Sequence, residues 1–403
     1  MNKNDNKHNI LKSFINKYEN LPKQGTKEWL QNRTYRIGGS EISTVLGKNP
    51  YQKVKALLNT HTGLSSFKGF FATYWGTVFE DMVRNHVNLI LNCNIEETGS
   101  IPHDTHEHFA YSPDGISVVH TQTLKNLLDS HNKEICETIV ENEYSIILFE
   151  FKCPHTRVPT GNVPIYYVDQ PRLGMKIIDI CEMAVFIEAV YKICSLDDIG
   201  YNNIYNYNYH KDKSTVTNNP ISCGVVIFYY KNIDKNTITD TIEQDIQKNL
   251  TQLIKDIKRF SYNKKKYLDI GNINNSYVIN KVLEMRANNS NLLHMDETIV
   301  DSYNFNEDDN MNSFNEMMLT YKINNSVSEK IKILESTNHN ILGILPYKLF
   351  NLVINPIKKD HGFINDELVN RVNLLMGVIK DCAHKTNSEK TTIIDTFVKK
   401  KLF

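Results

Sequence analysis

The sequence predicts a mixed α/β fold with a central β-sheet flanked by helices. Residues 145–152, 183–191 and 223–230 are apolar runs of the length of buried strands. Apolar side chains recur at helical spacing over 73–90, and 164–179 is also predicted to be helical. A chain in which strands and helices are interspersed is typical of a sheet covered by helices on both faces.

The strand "SIILFEFK" (145–152) is predicted to be central in the sheet. Its side chains alternate between two faces, and both faces begin apolar, which indicates burial on both sides. One face becomes charged only at its last two members, Glu150 and Lys152. Charged groups at the end of a buried strand must be paired, bind a metal or line a wet cleft, because burying an isolated charge is costly.

The N-terminal half of the chain holds most of the other recognisable elements. We expect a polar, partly disordered segment over 1–24 and a short helix from Ser40 that ends at Gly47. A strand is predicted near 95–101, followed by a hairpin-like pair around "HFAYSPDGISVV". Two polar insertions, near 120–143 and 195–220, are expected to protrude as loops.

The C-terminal part gives fewer signals. A helix is predicted from about 239 to 260, where the regular pattern of strands and helices that starts near 25 ends. Residues 261–403 are expected to form a mostly helical C-terminal region, with an acidic linker near 295–318. Within it, a helix opened by Asn365 carries an apolar stripe typical of a core-facing helix. The stripe consists of Leu368, Val372, Leu375, Met376 and Ile379.

Composition excludes several classes of protein. The 403 residues include 46 basic and 46 acidic side chains, so a polyanionic partner must be held by a local basic surface. Seven widely spaced cysteines without a C-x-x-C pair argue against zinc fingers and four-cysteine iron–sulfur clusters, and favour a reducing, intracellular compartment. The polar start predicts no secretory leader, and no apolar run has membrane-spanning length. His103, His106 and His108 are interpreted as an exposed loop, since their spacing fits no tetrahedral zinc motif.

Two short motifs carry the chemistry. Aspartate at a turn, as in "SPDG" (Asp114), is ordinary by itself. Followed by Glu150-x-Lys152 on a later strand, it resembles the PD-(D/E)xK nuclease signature. The segments "GTKEWLQNRTYRIGGSEISTVLGKNPY", "YWGTVFE", "YSPDG", "FEFKCP" and "YYVDQPRLGM" extend this likeness over about residues 25–190. In their order and approximate spacing they resemble the lambda-exonuclease or YqaJ-type viral recombinase family.

The resemblance implies a restriction-endonuclease-like nuclease domain over 25–260 and a metal site within it. The metal ligands it implies are the side chains of Glu80, Asp114 and Glu150 and the carbonyl of Phe151. The metal is Mg²⁺, with Mn²⁺ as a substitute, because hard oxygen ligands suit these ions. Lys152 matches the catalytic lysine that orients or deprotonates the attacking water. Two alternatives remain open: Glu80 pairs with Arg84 one turn on, and Lys152 is only a strand-face partner of Glu150.

The resemblance also implies residues that contact DNA. Arg33 and Ser40 match those that hold the 5′-terminal phosphate, and Arg36 is a second candidate near the glycines. A serine at a helix start adds a hydroxyl to exposed backbone N–H groups, although Ser40 as a simple cap is the alternative. Gln170 matches a glutamine on the helix after the catalytic strand, as a polar contact near the scissile phosphate or water.

The function implied by the resemblance is a Mg²⁺-dependent 5′-to-3′ exonuclease acting on double-stranded DNA ends. Its product is a 3′ single strand for recombination or repair, with a single-strand annealing protein as partner, no membrane association and an oligomer as the family's assembly. A viral source places it in the host cytoplasm or nucleus. Two alternatives remain: a structure-specific endonuclease or nickase of the same superfamily, and a non-catalytic DNA-end-binding recombination scaffold.

Overall fold

The computed structural model describes residues 3–22, 27–65, 71–128, 130–139, 142–155, 157, 159–193, 222–231, 294–300, 332–333, 336–337 and 339–400. Its helices are α1 Lys3–Tyr18, α2 Lys27–Arg33, α3 Gly39–Val45, α4 Val54–His61, α5 Phe71–Leu91, α6 Thr121–Leu127, α7 Ser130–Ile139, α8 Ile165–Ile177, α9 Asp366–Asp381 and α10 Asn387–Lys399. Its strands are β1 Ile101–Pro102, β2 Ala110–Tyr111, β3 Gly115–His120, β4 Tyr144–Lys152, β5 Met183–Ile193, β6 Ser222–Lys231, β7 His294–Val300 and β8 His339–Lys358. The predictions for 195–220 and 239–260 and most of the linker predicted over 295–318 lie outside the described residues. The start of that linker was predicted wrongly, because 294–300 pair with β6 as strand β7.

A mixed sheet forms the centre of the molecule, as the sequence predicts. In the described part of the chain it has the strand order β3-β4-β5-β8-β6-β7. Strand β4 pairs antiparallel with β3 and parallel with β5, while the remaining pairs are antiparallel. The prediction that β4 is central is therefore confirmed. The register sets Gly115 opposite Phe149 and Lys152 beside Glu188.

Helices cover both faces of the sheet. On one face, Phe79 and Val83 of α5 pack in the same buried cluster as Phe149 and Phe151 of β4. On the other, Leu148 belongs to a cluster that α1 and α8 complete. These are the two alternating faces of the sequence pattern, and their burial makes β4 a strand shielded from water on both sides.

The C-terminal region contributes to the sheet as well as to the helical layer. Helix α9 begins after Asn365, whose side chain accepts a hydrogen bond from the Leu368 N–H at 2.9 Å, and the predicted stripe is buried. Residues 339–358, however, form the long strand β8 between β5 and β6. Its alternation of apolar and polar side chains is irregular, so only pairing with β5 and β6 identifies it as a strand. The division of domains at residue 260 stays a prediction.

Three local predictions for the N-terminal half are wrong. The polar start forms helix α1, whose Leu11 is buried, because packing compensates a weak amphipathic pattern. The insertion 120–143 is not a loop: it carries α6 and α7, and Leu124 and Cys136 enter the core. The segment "HFAYSPDGISVV" is not a hairpin, because β2 pairs with β1 and β3 pairs with β4.

Two further findings concern the broad class of protein. Among the residues described, no helix has the length and apolar character needed to cross a bilayer. Cys93, Cys136, Cys153, Cys181 and Cys382 are free thiols.

Candidate active site

Glu150 and Lys152 meet at the end of β4. Glu150 is completely buried, and its Oε1 contacts the Lys152 ammonium. Its Oε2 accepts a hydrogen bond of 2.6 Å from the hydroxyl of Tyr111, which is itself buried. The charged end of the strand is thus paired inside the protein, which explains how it tolerates burial.

Asp114 joins this pair from the turn before β3. Its Oδ2 accepts a hydrogen bond of 2.7 Å from the Phe151 N–H and lies 4.0 Å from the Lys152 Nζ. The antiparallel register of β3 and β4 brings the turn of "SPDG" to the end of β4. The structure therefore brings together Asp114, Glu150 and Lys152, which the sequence placed in one signature.

Glu80 lies on α5, the helix that covers this part of the sheet. Its Oε1 is 3.8 Å from the Nη2 of Arg84, whereas Arg84 is closer to Asp81, at 3.0 Å, and to Glu97, at 2.7 Å. The Arg84 Nε also donates to the Asp114 carbonyl at 3.3 Å. The ion pair with Glu80 is therefore the longest of these Arg84 contacts, and it leaves Glu80 available to a second partner.

The candidate site has more negative than positive side chains, and this shifts their pKa values. Burial, and then the Asp114 carboxylate, raise the pKa of Glu80 above its usual value. Burial and Asp114 likewise raise the pKa of Glu150, which Lys152 only partly offsets. Burial alone would lower the pKa of Lys152, but Glu150 and Asp114 raise it above its usual value. Three carboxylates thus face the Lys152 ammonium and, at Glu80, the Arg84 guanidinium, yet the pKa of Glu80 and of Glu150 remains raised, and a divalent cation would add positive charge.

The donor set fits a hard divalent cation. Glu80, Asp114, Glu150 and the Phe151 carbonyl offer only oxygen atoms, which suit Mg²⁺ or Mn²⁺. In the described ranges, no three His, Cys, Asp or Glu side chains already stand close enough together to hold a metal. Both oxygens of Glu150 already accept hydrogen bonds, one from Lys152 and one from Tyr111. Side-chain rotation is therefore needed before these oxygens share an ion.

The predicted phosphate-binding residues lie at the ends of α2 and α3. The Arg33 Nη2 is 3.2 Å from the Glu41 Oε2, and its guanidinium lies 4.6 Å from the Trp29 ring centroid. Ser40 is exposed in the first turn of α3, but Gly38 is the N-cap residue, so Ser40 as the cap is wrong. Arg36 is half-buried in the segment between these helices.

Close packing connects α3 and α8 to Tyr111 of β2, the tyrosine that donates to Glu150. A Cβ atom at Gly39 would lie 2.5 Å from the Tyr111 ring and 3.1 Å from the Gln170 Cγ. Gly174 of α8 approaches the other edge of the same ring, at 2.6 Å from such a Cβ. Gln170 therefore lies beside the tyrosine that donates a hydrogen bond to Glu150, and its role in the site stays a prediction.

Sequence reasoning missed three polar contacts around the site. Tyr111 stands in the quoted "YSPDG" motif but was not singled out. Glu188 of β5 is completely buried and contacts the Arg157 guanidinium, and Asp169 of α8 is 1% exposed and 2.6 Å from the Lys48 Nζ. A charged residue inside an apolar run, as in "VFIEAVY", is the signal that could have identified Glu188.

The histidines of the segment 103–108 make hydrogen bonds to backbone groups. The His103 Nδ1 accepts hydrogen bonds from the N–H groups of Thr105 and His106, at 3.1 and 3.2 Å. The His108 Nδ1 donates to the Tyr35 carbonyl at 3.1 Å. The segment forms turns between β1 and β2, in agreement with the loop interpretation.

Comparison with known proteins agrees with the arrangement of these motifs. The model of the YqaJ-like viral recombinase domain matches residues 28–177, a range that contains Glu80, Asp114, Glu150 and Lys152. Residues 28–177 are therefore similar to a YqaJ-like viral recombinase domain. Strands β5 and β8 and helices α9 and α10 lie beyond the matched range of this YqaJ-like domain.

Viral proteins are among the relatives of the chain. Protein D345L of African swine fever virus, isolate Tick/Malawi/Lil 20-1/1983, is 26% identical over 227 residues, which are 54% of this chain and 63% of the relative. The same protein of strain Badajoz 1971 Vero-adapted is 26% identical over 230 residues, with the same coverage. The chain thus spans less than two thirds of the length of these relatives.

Two crystal structures are also similar. LHK-Exo in complex with dAMP gives a TM-score of 0.30 with 22% identity, over 40% of this chain and 73% of its own. The alkaline exonuclease LHK-Exo from Laribacter hongkongensis gives a TM-score of 0.30 with 20% identity, over 41% of this chain and 74% of its own.

Proposed function

We propose that the protein is a divalent-metal-dependent deoxyribonuclease that degrades double-stranded DNA from 5′ ends and leaves 3′ single strands. The observation that carries the proposal is the meeting of Asp114, Glu150 and Lys152 at the end of β4 inside a YqaJ-like domain. A recombination scaffold that only binds DNA has no need of several carboxylates gathered around one ammonium.

Each residue has a chemical role in this proposal. Glu80, Asp114, Glu150 and the Phe151 carbonyl would hold Mg²⁺ or Mn²⁺, which would supply Lewis-acid activation of water and of the phosphate. Although burial lowers the pKa of Lys152, Glu150 and Asp114 raise it above its usual value. Lys152 orients or deprotonates the attacking water, since a cation held by Glu150 and Asp114 would offset the charges that raise its pKa. The Tyr111 hydroxyl favours the charged form of Glu150.

Recognition of the DNA end is assigned to the α2–α3 region. Arg33 and Ser40 hold the terminal 5′-phosphate, and the contact of Gly39 with Tyr111 supports a short path from that phosphate to Glu150. The Glu41 carboxylate fixes the Arg33 side chain at 3.2 Å. Duplexes with a 5′-phosphate should therefore be degraded faster than duplexes with a 5′-hydroxyl, and Arg33→Ala should remove that difference.

The test compares end-labelled linear DNA with covalently closed circles in Mg²⁺, Mn²⁺, Ca²⁺ and chelator. We expect stepwise loss of the 5′-labelled strand with Mg²⁺ or Mn²⁺, intact circles, and no cleavage in chelator. Asp114→Asn should abolish cleavage with the fold retained, while Asp104→Asn, the same substitution at a 78% exposed side chain, should not. Rapid cutting of circles would favour the endonuclease, and full activity of Asp114→Asn would reject the site.

A further inference from the structure

A row of three tyrosines leads from the candidate catalytic lysine to the surface. The Lys152 Nζ lies 5.5 Å from the ring centroid of Tyr167, and the centroids of Tyr167 and Tyr166 are 4.5 Å apart. Tyr51, in the loop before α4, follows at 5.4 Å from Tyr166 with its ring perpendicular. The row thus connects two segments of the YqaJ-like domain that are far apart in sequence.

Tyr51, the outermost tyrosine of the row, is highly exposed to solvent. Tyr51 is 79% exposed, whereas Tyr166 and Tyr167 are half-buried. A large aromatic ring that presents most of its surface to water buries little apolar area in the fold. Packing within this chain therefore gives Tyr51 little stabilisation, and a flat partner could cover its ring.

Two cations are each held by a buried carboxylate: Lys48 by Asp169, which lies on the same helix as Tyr166 and Tyr167, and Arg157 by Glu188. Asp169, 1% exposed, lies 2.6 Å from the Lys48 Nζ, and the Lys48 side chain remains 38% exposed. Glu188, completely buried, contacts Arg157, whose guanidinium is 5.9 Å from the Tyr167 centroid. The carboxylates fix the direction of both cations while part of each side chain stays open to solvent, as a site for an anion requires.

We propose that Tyr51, Tyr166 and Tyr167, together with Lys48 and Arg157, bind an unpaired stretch of DNA beside the cleft. The bases stack on the rings, and the two cations contact phosphates on either side. Alternating aromatic and basic groups suit single strands, because unpaired bases expose their faces whereas those of a duplex are already stacked. The proposal rests on the proposed function for its substrate class and adds how an opened end is held.

Binding can be measured without cleavage. The probe is a short, 5′-phosphorylated, fluorescent oligothymidylate, and its anisotropy is followed with the full chain in chelator. Tyr51→Ala should weaken binding by about 5- to 150-fold, the range for loss of one stacking contact, while Tyr51→Phe should bind like wild type. Ile165→Ala is the matched control, because Ile165 is 67% exposed and outside the row.

A second probe, a dumbbell duplex whose ends are closed by linkers without bases, separates base stacking from contacts with the duplex backbone. Tyr51→Ala should change its binding little. A salt series adds an independent readout, since Lys48→Gln should reduce the slope of log affinity against log salt for the single strand by about 0.7.

Each outcome decides the proposal. Wild-type single-strand affinity in Tyr51→Ala would overturn it, as would an equal loss for the oligothymidylate and the dumbbell. If the single strand binds through Tyr51 but no DNA is cut in Mg²⁺ or Mn²⁺, the stacking site stands and the nuclease assignment fails. If DNA is cut and Tyr51→Ala binds the single strand like wild type, the nuclease assignment stands and the stacking site fails.

Discussion

Replacing Tyr111 by Phe removes one hydroxyl from beside Glu150 and leaves the ring in place. The ring is held between Gly39 and Gly174, so Tyr111→Phe creates no cavity and repacks nothing. What is lost is a hydrogen bond of 2.6 Å to a completely buried carboxylate. Hydrogen bonds to charged groups contribute about 1.5 to 3 kcal/mol, and we expect the free energy of unfolding to fall by about that amount.

The same substitution should move the pH dependence of cleavage. The Tyr111 hydroxyl favours the charged form of Glu150 and so lowers its pKa, against burial and Asp114, which raise it. Without the hydroxyl the pKa of Glu150 rises further. If all of the lost energy came from the charged form, the acidic limb of the profile would move up by about one to two pH units. Cleavage should fall at low pH and recover as the pH increases.

Urea unfolding and single-turnover cleavage across pH measure the two effects. Tyr191→Phe is the matched control: its hydroxyl lies 3.2 Å from the His86 Nδ1 in the core, and its loss should cost about 0.5 to 1.5 kcal/mol without moving the pH profile. Wild-type stability and an unshifted profile in Tyr111→Phe would refute the reasoning. Reduced stability with an unshifted profile would show that Tyr111 only supports the fold.

Three further outcomes are expected. Lys152→Ala should slow single-turnover cleavage by about 10²- to 10⁴-fold with little change in thermal melting, and a folded variant that cuts normally would reduce Lys152 to a structural ion pair. Burial raises the pKa of Glu41, but Arg33 and His61 hold it at about 2, below the usual 4.5. About 3 kcal/mol of stability, present above pH 4.5, should therefore be lost as the pH falls towards 2. The measurement is urea unfolding of wild type and Glu41→Gln between pH 6 and 3. If the free energies of unfolding of the two proteins changed in parallel over this range, the prediction would be wrong. Leu375→Ala, in the buried stripe of α9, should lower the free energy of unfolding by about 2 to 5 kcal/mol and leave cleavage per folded molecule unchanged. A smaller decrease, measured by urea unfolding, would mean that α9 is loosely packed.

Elements with strong local signals were predicted correctly from the sequence. Strand β4 has apolar residues on both faces, and both faces are buried. Helix α9 has its cap at Asn365, and Gly47, with a φ of +71°, follows α3 as the expected stop. In each case the residues that decide the structure are neighbours along the chain.

Elements that depend on distant partners were missed. Strand β8 has no clear alternation and is a strand because β5 and β6 supply its hydrogen bonds. Helix α1 is polar, yet Leu11 enters the core and Lys7 pairs with Glu182, far along the chain. Such contacts cannot be read from a local window, because they depend on which surfaces the rest of the fold leaves uncovered.

The candidate site divides in the same way. The signature residues Asp114, Glu150 and Lys152 were found because their chemistry needs particular side chains at fixed spacing. Tyr111 was missed, since a tyrosine in a short strand has many ordinary roles, and only its hydrogen bond to Glu150 reveals this one.

The position of β8 in the sheet has a consequence for synthesis of the chain. Strand β5 is hydrogen-bonded on one side to β4 and on the other to β8, and residues 194–338 separate β5 from β8 in sequence. While the ribosome synthesises that long segment, β4 can already pair with one edge of β5, but the other edge of β5 remains unpaired. Open edges of this kind recruit other strands, so the nascent protein is exposed to aggregation until its last strand emerges. Pairing of strands so far apart in sequence is also slow. The free edge of β5 is therefore covered only after residue 358 has been translated and β8 has paired with it.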